Sequence, residues 1–428
     1  VNGWWPVNWR DCTRLSDKFH CVRLEHHLAP TIPPVQQRDH RNRIIATSPP
    51  RLAALLLVSE TLEPDAGRRS DVEKVFTQLT CAQVAFSLAA GTTTVDFAAI
   101  GSPAQPLTEV DLGGLRGVQR IGNNAFCGVA MLRLVYASAP TEFQSIGDNF
   151  SAQCGSLQEV DLANFGAVTS IGDRFLAQSA IQRFCGRGLT EVVTIGDSFL
   201  TGCHRLTAAD FTGGFAKLHR ISPGFLMEAQ ALQFMDFGPM ESLTSIGDDC
   251  LRNASGLTAL RLVNLHHLVG IGDHFASRTH HLRVCEVSDC PSLRQIGASF
   301  LHFSGVEPGE IRGLTAVTEV GEFWMSQCPQ VRSFCGTMLP KLRHIPPNFL
   351  WHCPNLRSFS SRGMGEVQSI GHHFLVASPS LATPNVDLSG FTALTHVDMN
   401  GALEGCSEVI RARVTKMLDD VCSAPSGT

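Results

Sequence analysis

An Ile-Gly-Asp type of signal recurs eleven times in the 428-residue chain, and this repeat limits the possible folds more than any other feature. It runs from Ile121 to Ile370 at intervals of 24 to 26 residues, with a Val in place of the Ile at one position. An aromatic residue usually follows four positions later and a small residue eight positions later. Because one such unit cannot bury its apolar face alone, the repeat predicts a solenoid of stacked units.

Each unit contains two extended segments and a turn. The segment from Leu157 to Leu162 alternates apolar and polar residues, which is typical of a half-buried strand. A second extended segment ends at the Ile-Gly pair, where we expect the Gly to permit a tight bend. The Asp that follows is predicted to cap one helical turn. The expected fold is an α/β repeat solenoid, with a parallel sheet on one face, short helical turns or irregular segments on the other, and helical caps at the ends.

Three motifs connect these units to a known family. The segments Ser245-Ile-Gly-Asp248, Thr194-Ile-Gly-Asp-Ser-Phe-Leu-Thr-Gly-Cys203 and Leu157-Gln-Glu-Val-Asp-Leu162 resemble BspA-type leucine-rich repeats. The resemblance extends from about Val95 to Cys406. It implies a curved leucine-rich-repeat solenoid that serves as an interaction or cell-surface protein, and it implies no enzymatic activity.

Composition divides the chain into four parts. Residues 1–50, with clustered Trp and Pro, are predicted to be an irregular or disordered leader. Residues 51–91 are predicted to form a helical cap, because Ser70 and Glu73 make a capping box before an apolar pattern of helical spacing. Residues 92–406 hold about twelve repeats. Residues 407–428 form the C-terminal cap and tail, with a helix predicted from Glu408 to Val421.

Charge and hydropathy exclude several functions. The net charge is −5, which argues against electrostatic binding of nucleic acid. The longest apolar run, from Leu52 to Val58, is far shorter than the roughly 20 residues of a membrane-spanning helix. No signal or anchor is visible, and the chain begins with Val, so the sequence leaves the compartment open between cytoplasm and cell surface.

The cysteines and histidines suggest no cofactor, metal ion or catalytic site. There are 15 Cys and no Cys-x-x-Cys pair. Cys328 and Cys353 fall in the same column of adjacent repeats, where either a disulfide or, as we favour, two buried thiols would fit. The group His280, His281, Cys285 and Cys290 matches no zinc-site spacing. Phosphate-binding loops and hydrolase motifs are also missing from the sequence.

One strand position of each repeat is predicted to point out of the core onto the sheet surface, where neighbouring side chains are about 5 Å apart. An acidic stripe there would attract a basic partner. Alternatively, Asp is the default polar residue of the repeat, solvated or paired with Arg133, Arg183, Arg283 or Arg332. The candidate binding residues in this column are Asp111, Tyr136, Asp161, Asp210, Asp236, Arg261, Glu286 and Glu310.

The sequence therefore favours a non-enzymatic scaffold that binds its partner on the concave strand face. The expected partner is a protein with a basic surface or a cell-surface glycan, without nucleic acid. The alternative is a structural or surface-display protein that has no single defined partner.

Overall fold

The structure, a computed structural model, describes residues 19–22, 45–47, 51–58, 83–88, 94–95, 107–111, 118–135, 142–160, 162, 165–306, 311 and 313–423. Within these ranges, only the backbone is described for residues 19–111, 131–135, 383 and 421–423. The chain divides into two compact units, the first formed by residues 1–196 and 212–214, and the second by residues 197–211 and 215–428. Each unit is a solenoid of stacked coils whose repeated strands run parallel.

The longer strands of the repeats form one side of each coil, which we call the long-strand face. Their apolar residues alternate with exposed ones, as at Val284–Ser288, where Cys285 and Val287 are buried and Val284 is exposed. The strands of this face are Arg51–Val58, Gln83–Leu88, Leu107–Asp111, Met131–Val135, Glu159–Val160, Arg183–Cys185, Ala208–Asp210, Phe234–Asp236, Ala259–Val263, Val284–Ser288, Ser333–Cys335, Ser358–Ser360 and Val386–Asp387.

The Ile of each repeat lies in a two-residue strand on a second side, the Ile-strand face. Ile171 pairs in register with Ile146 and Ile195, and all three are buried, which confirms the second extended segment expected from the sequence. The strands of this face are Thr94–Val95, Arg120–Ile121, Ser145–Ile146, Ser170–Ile171, Thr194–Ile195, Arg220–Ile221, Ser245–Ile246, Gly270–Ile271, Gln295–Ile296, Glu319–Val320, His344–Ile345, Ser369–Ile370 and His396–Val397.

The third side is a ribbon of irregular turns, which was one of the two alternatives predicted for it, whereas the helical turn is not formed. In residues 148–154, the φ angles of Asn149, Ser151 and Gln153 are +56°, +49° and +58°, so alternate residues are left-handed and no helix can form. Their N–H groups donate to carbonyls of neighbouring coils: Asn149 and Gln153 to the next coil, at 2.7 and 2.8 Å, and Ser151 to the preceding one, at 2.7 Å. These bonds offset the cost of left-handed backbone at residues other than Gly. We call the equivalent segments of all repeats the turn ribbon.

The Asp of the Ile-Gly-Asp signal links coils instead of capping a helix. The Asp148 carboxylate accepts a hydrogen bond of 2.9 Å from the backbone N–H of Asp173 in the next coil. Asp248 and Asp273 are joined in the same way at 2.8 Å. Backbone hydrogen bonds between coils are therefore supplemented, on the outside of the bend, by hydrogen bonds from backbone N–H groups to Asp carboxylates.

The Gly of the signal allows adjacent coils to pack closely. It does not serve the tight bend that the sequence predicts. Gly172 does not have a left-handed φ angle. A Cβ atom on Gly172 would lie 2.7 Å from the backbone nitrogen of Asp148 and would also meet the Asp148 carboxylate. The preceding coil thus occupies the space that a side chain would need.

Aromatic rings fill the interior behind the turn ribbon, as the repeat predicts. The rings of Phe150 and Phe175 stack at 5.3 Å with an interplanar angle of 8°. Trp324 and Phe349 stack at 4.9 Å and 5°. All four side chains are fully buried, so the column joins successive coils through offset ring contacts.

The structure differs from the prediction at the N-terminal end. Arg51–Val58 and Gln83–Leu88 are strands in parallel pairing, whereas residues 51–91 are predicted to form a helical cap. Phe19–Val22 and Ile45–Thr47, within the predicted irregular leader, pair antiparallel with Arg51–Val58. The Leu- and Ala-rich run after residue 50 has high helix propensity, but strand pairing overrides it. Ser70, Glu73 and most of the leader lie outside the described residues.

The C-terminal helix agrees with the prediction. It spans Glu408–Ser423 and buries Ile410, Val414 and Leu418, which recur at four-residue spacing. Side chains four residues apart share one helix face, and the helix contacts the turn Thr383–Asn385.

We expect Gly172→Ala to destabilise the protein by about 1–3 kcal/mol, because the added methyl group overlaps the backbone of the preceding coil. Urea unfolding of the full chain measures the effect. The matched control is Gly155→Ala, at an exposed Gly of the same repeat where a Cβ atom meets nothing within 4 Å. Equal stability of the two variants would contradict the close-packing role of Gly172.

Candidate functional site

An exposed apolar row crosses the long-strand face of the second unit. Phe234, Ala259 and Val284 stand in register on three adjacent parallel strands. The side chains of Phe234 and Val284 are 45 % and 42 % exposed, and Ala259 between them is half-buried. We call these three residues the apolar row. Exposed phenylalanine beside exposed valine on a regular sheet is a surface that gains free energy when a partner covers it.

A charged row runs beside the apolar row, two residues further along each strand. It consists of Asp236, Arg261 and Glu286, again in register. Arg261 Nε donates to Glu286 Oε2 at 2.9 Å, and Arg261 Nη1 donates to Asp236 Oδ2 at 3.5 Å. The guanidinium of Arg261 therefore bridges two carboxylates, one on each of the two neighbouring strands. The row keeps a net charge of −1 and remains open to solvent, with side-chain exposures of 30 to 45 %.

This arrangement refines the acidic stripe predicted from the sequence. Three of its residues, Asp236, Arg261 and Glu286, come together, and Arg261 is the cation that balances the stripe. Arg283, one of the proposed pairing partners, instead directs its guanidinium to the carbonyl of Gly305 at 3.5 Å. Exposed ion pairs of this kind contribute at most about 1 kcal/mol each, so the row contributes charge pattern more than stability.

The remaining candidate residues are placed less fully. Asp111 ends the strand Leu107–Asp111, and Val135, instead of Tyr136, is in register with it. Asp210 is half-buried at the end of its strand. Tyr136, Asp161 and Glu310 lie outside the described residues.

The apolar row was not predicted from the sequence. The candidate column is the strand position that Asp often occupies, and the residues two positions earlier vary from one repeat to the next. Phe234 and Val284 are outward-facing apolar residues at a position where Ser333 and Ser358 stand in later repeats. Because side chains alternate along a strand, these positions are expected to face outward. An apolar residue at an outward position was the sequence signal that could have identified this row.

The cysteines of the small-residue column are buried thiols that bond to the neighbouring coil. Cys328 Sγ donates to the carbonyl of Leu301 at 3.1 Å, and Cys353 Sγ donates to that of Met325 at 3.4 Å. Both are free cysteines, as favoured from the sequence. Burial raises the pKa of the Cys328 thiol to about 11, and that of Cys353 is raised further still. A thiol in this state is a poor nucleophile and a poor metal ligand.

The His280–Cys290 group does not converge on a metal ion. Cys285 is fully buried in the strand Val284–Ser288, where burial raises the pKa of its thiol to about 12, while His280 and His281 are exposed. Across the described part of the chain, no three His, Cys, Asp or Glu side chains gather in a way that could hold a metal. Among the described helices, none has both the length and the apolar character needed to cross a bilayer.

The repeats match one family model. Residues 119–258 match the BspA type leucine rich repeat region in six copies. No curated protein sequence matches the chain.

Solved structures share the fold. A leucine-rich repeat protein from Bacteroides ovatus superposes with a TM-score of 0.53 at 14 % identity, covering 91 % of this chain and 92 % of the other. A leucine-rich repeat protein from Eubacterium ventriosum has a TM-score of 0.34 at 13 % identity, with 83 % and 90 % covered. A leucine rich cell surface protein from Faecalibacterium prausnitzii has a TM-score of 0.31 at 12 % identity, with 90 % and 96 % covered. The similarity to the Bacteroides ovatus structure shows that this chain has the fold of a leucine-rich-repeat solenoid.

We expect N-ethylmaleimide at pH 8 to label the exposed Cys185 and Cys335 quickly and to leave Cys328 unlabelled until the protein unfolds. At a pKa of about 11, only about one Cys328 thiol in a thousand is ionised at that pH, and the coil also shields it. Mass spectrometry of the labelled peptides measures the difference. Labelling of Cys328 as fast as Cys335, or a peptide joining Cys328 to Cys353, would contradict the buried thiol.

Proposed function

We propose that this chain, which carries BspA-type leucine-rich repeats over residues 119–258, is a non-enzymatic scaffold that binds a protein on its long-strand face. The observation that supports the proposal most directly is the apolar row of Phe234, Ala259 and Val284 beside the charged row of Asp236, Arg261 and Glu286. Interfaces combine a central aromatic or aliphatic anchor with a polar rim, and these two rows supply both.

Rigidity supports the same interpretation. The two rows stand on parallel strands, and the side chains between them, Met235, Leu260 and Cys285, are fully buried. The apolar row therefore loses little conformational entropy when a partner covers it. Phe234 is the natural anchor, because it has the largest ring on this surface and is 45 % exposed.

The charge of the site favours a basic partner. Two carboxylates and one guanidinium leave the charged row with a net charge of −1, and Arg261 is already engaged with both carboxylates. A lysine or arginine of the partner can reach Oε1 of Glu286 without displacing Arg261, which bonds to Oε2. Oδ1 of Asp236 already accepts a hydrogen bond of 2.9 Å from the backbone N–H of Gly238. Rim charges of this kind mainly steer association and select among partners.

The testing experiment places a photo-crosslinking amino acid beside Phe234, at position 233, and isolates the protein captured in extracts of the native source. We expect Phe234→Ser to weaken binding of that protein about tenfold or more, since an anchor residue contributes about 1.4 kcal/mol or more. The matched control is Val269→Ser, because Val269 is 47 % exposed in the same unit but lies beside the Ile-strand face. Equal loss in both variants would contradict a site on the long-strand face.

Two further outcomes separate the alternatives. Asp236→Lys is expected to weaken binding and to reduce its salt dependence, and stronger binding would exclude a basic partner. If no protein is captured at position 233, the alternative of a structural or surface-display protein without a defined partner is favoured.

A further inference from the structure

A chain of half-exposed and exposed rings crosses the turn ribbon of four adjacent repeats in the second unit. The centroid of His302 lies 4.5 Å from that of Phe303 and 5.8 Å from that of Phe323. Phe323 contacts Trp351 edge-on at 6.2 Å, and His280 contacts Phe303 at 6.2 Å. We call these five residues, together with His352 beside Trp351, the aromatic ledge.

The ledge is not a default of the repeat. In an earlier coil, the ribbon positions that correspond to Phe323 and Phe303 hold Asn149 and Gln153, both polar. Phe323 and Phe303 have φ angles of +58° and +57°, a backbone region that disfavours bulky side chains. Neither ring belongs to the buried aromatic column, which continues beneath them through Trp324. Packing of the coil therefore does not account for these rings.

Unused hydrogen-bonding groups lie beside the rings. Within the described residues, the indole N–H of Trp351 and the side-chain amide of Gln327 have no hydrogen-bond partner. The Ser326 hydroxyl donates to the carbonyl of Phe323 at 3.0 Å, so its bond with His302 requires Nδ1 of His302 to be the donor. Nε2 of His302 is then a free acceptor.

His302, in the middle of the ledge, is neutral at pH 7. Burial, followed by the charge of Arg278, lowers the pKa of His302 to about 4, so its imidazole is neutral. Arg278 on one side and Glu322 on the other carry opposite charges. Around His302 the surface thus offers rings and neutral hydrogen-bonding groups, flanked by one charged residue of each sign.

We propose that the aromatic ledge binds a neutral oligosaccharide laid across the coils. A pyranose ring carries C–H groups on its faces and hydroxyl groups around its edge. Trp351, Phe323 and Phe303 would cover the C–H faces, while the Trp351 indole, the Gln327 amide and His302 Nε2 exchange hydrogen bonds with hydroxyls. The coils are about 4.8 Å apart, so the ligand spans several sugar units. This proposal is independent of protein binding on the long-strand face.

Isothermal titration of the full chain with a panel of neutral gluco-, manno-, galacto-, xylo- and N-acetylglucosamine oligosaccharides tests the ledge. We expect at least one to bind, and Trp351→Ala and Phe323→Ala each to weaken it about tenfold. Trp351→Phe, which keeps a ring, should retain most of the affinity. Val409→Ala, at an exposed apolar residue of the C-terminal helix in the same unit, is the control and should bind the sugar like the unaltered chain.

Thermal unfolding of each variant separates loss of the site from loss of the fold. The proposal is overturned if no oligosaccharide of the panel binds, or if binding survives both alanine substitutions. It is also overturned if the ledge variants lose a protein partner and no sugar, since the ledge would then be a protein-docking surface. A negative result for the aromatic ledge does not bear on protein binding at the long-strand face, because the two sets of variants share no residue.

Discussion

Hydrogen bonding from one coil to the next is the interaction on which the rest of this structure depends. Strands pair on two sides of the coil, and on the third side the turn ribbon, with its alternating left-handed residues, also bonds outward. Asn149 donates to the following coil and Ser151 to the preceding one, so no helix is needed to satisfy the backbone there. The Asp148 carboxylate and the absent side chain of Gly172 extend the same contact to the surface.

Much of this architecture could be predicted because the buried columns repeat. The Ile, aromatic and small positions all lie inside, and an interior that each coil shares with its neighbours forces the same residue types at the same spacing. The ribbon could not be predicted in this way. Phe175, Leu176 and Ser179 have spacings that suit one helical turn. Only the φ angles and the hydrogen bonds to neighbouring coils show that left-handed and other residues alternate there. Strand pairing likewise overrides the helix propensity of the Leu-rich run Arg51–Val58.

The surface could be predicted only in part, because outward positions are free to vary. Asp236, Arg261 and Glu286 were found as members of one column, yet the role of Arg261 as a bridge appears only from its distances. Phe234 and Trp351 each depart from the residue type of their column, and each marks a surface that packing does not require. Departure from the repeat at an exposed position is therefore the most informative signal for function in such a chain, since buried positions report only on stacking.

Amide hydrogen exchange of the full chain tests the central claim, that coils are bonded to one another on all three sides. The account predicts that the ribbon amides of Asn149, Ser151 and Gln153 are protected as strongly as those of the Ile strands, because both are opened only by separating coils. Ribbon amides that exchange as fast as exposed loops, while the Ile strands stay protected, would contradict it.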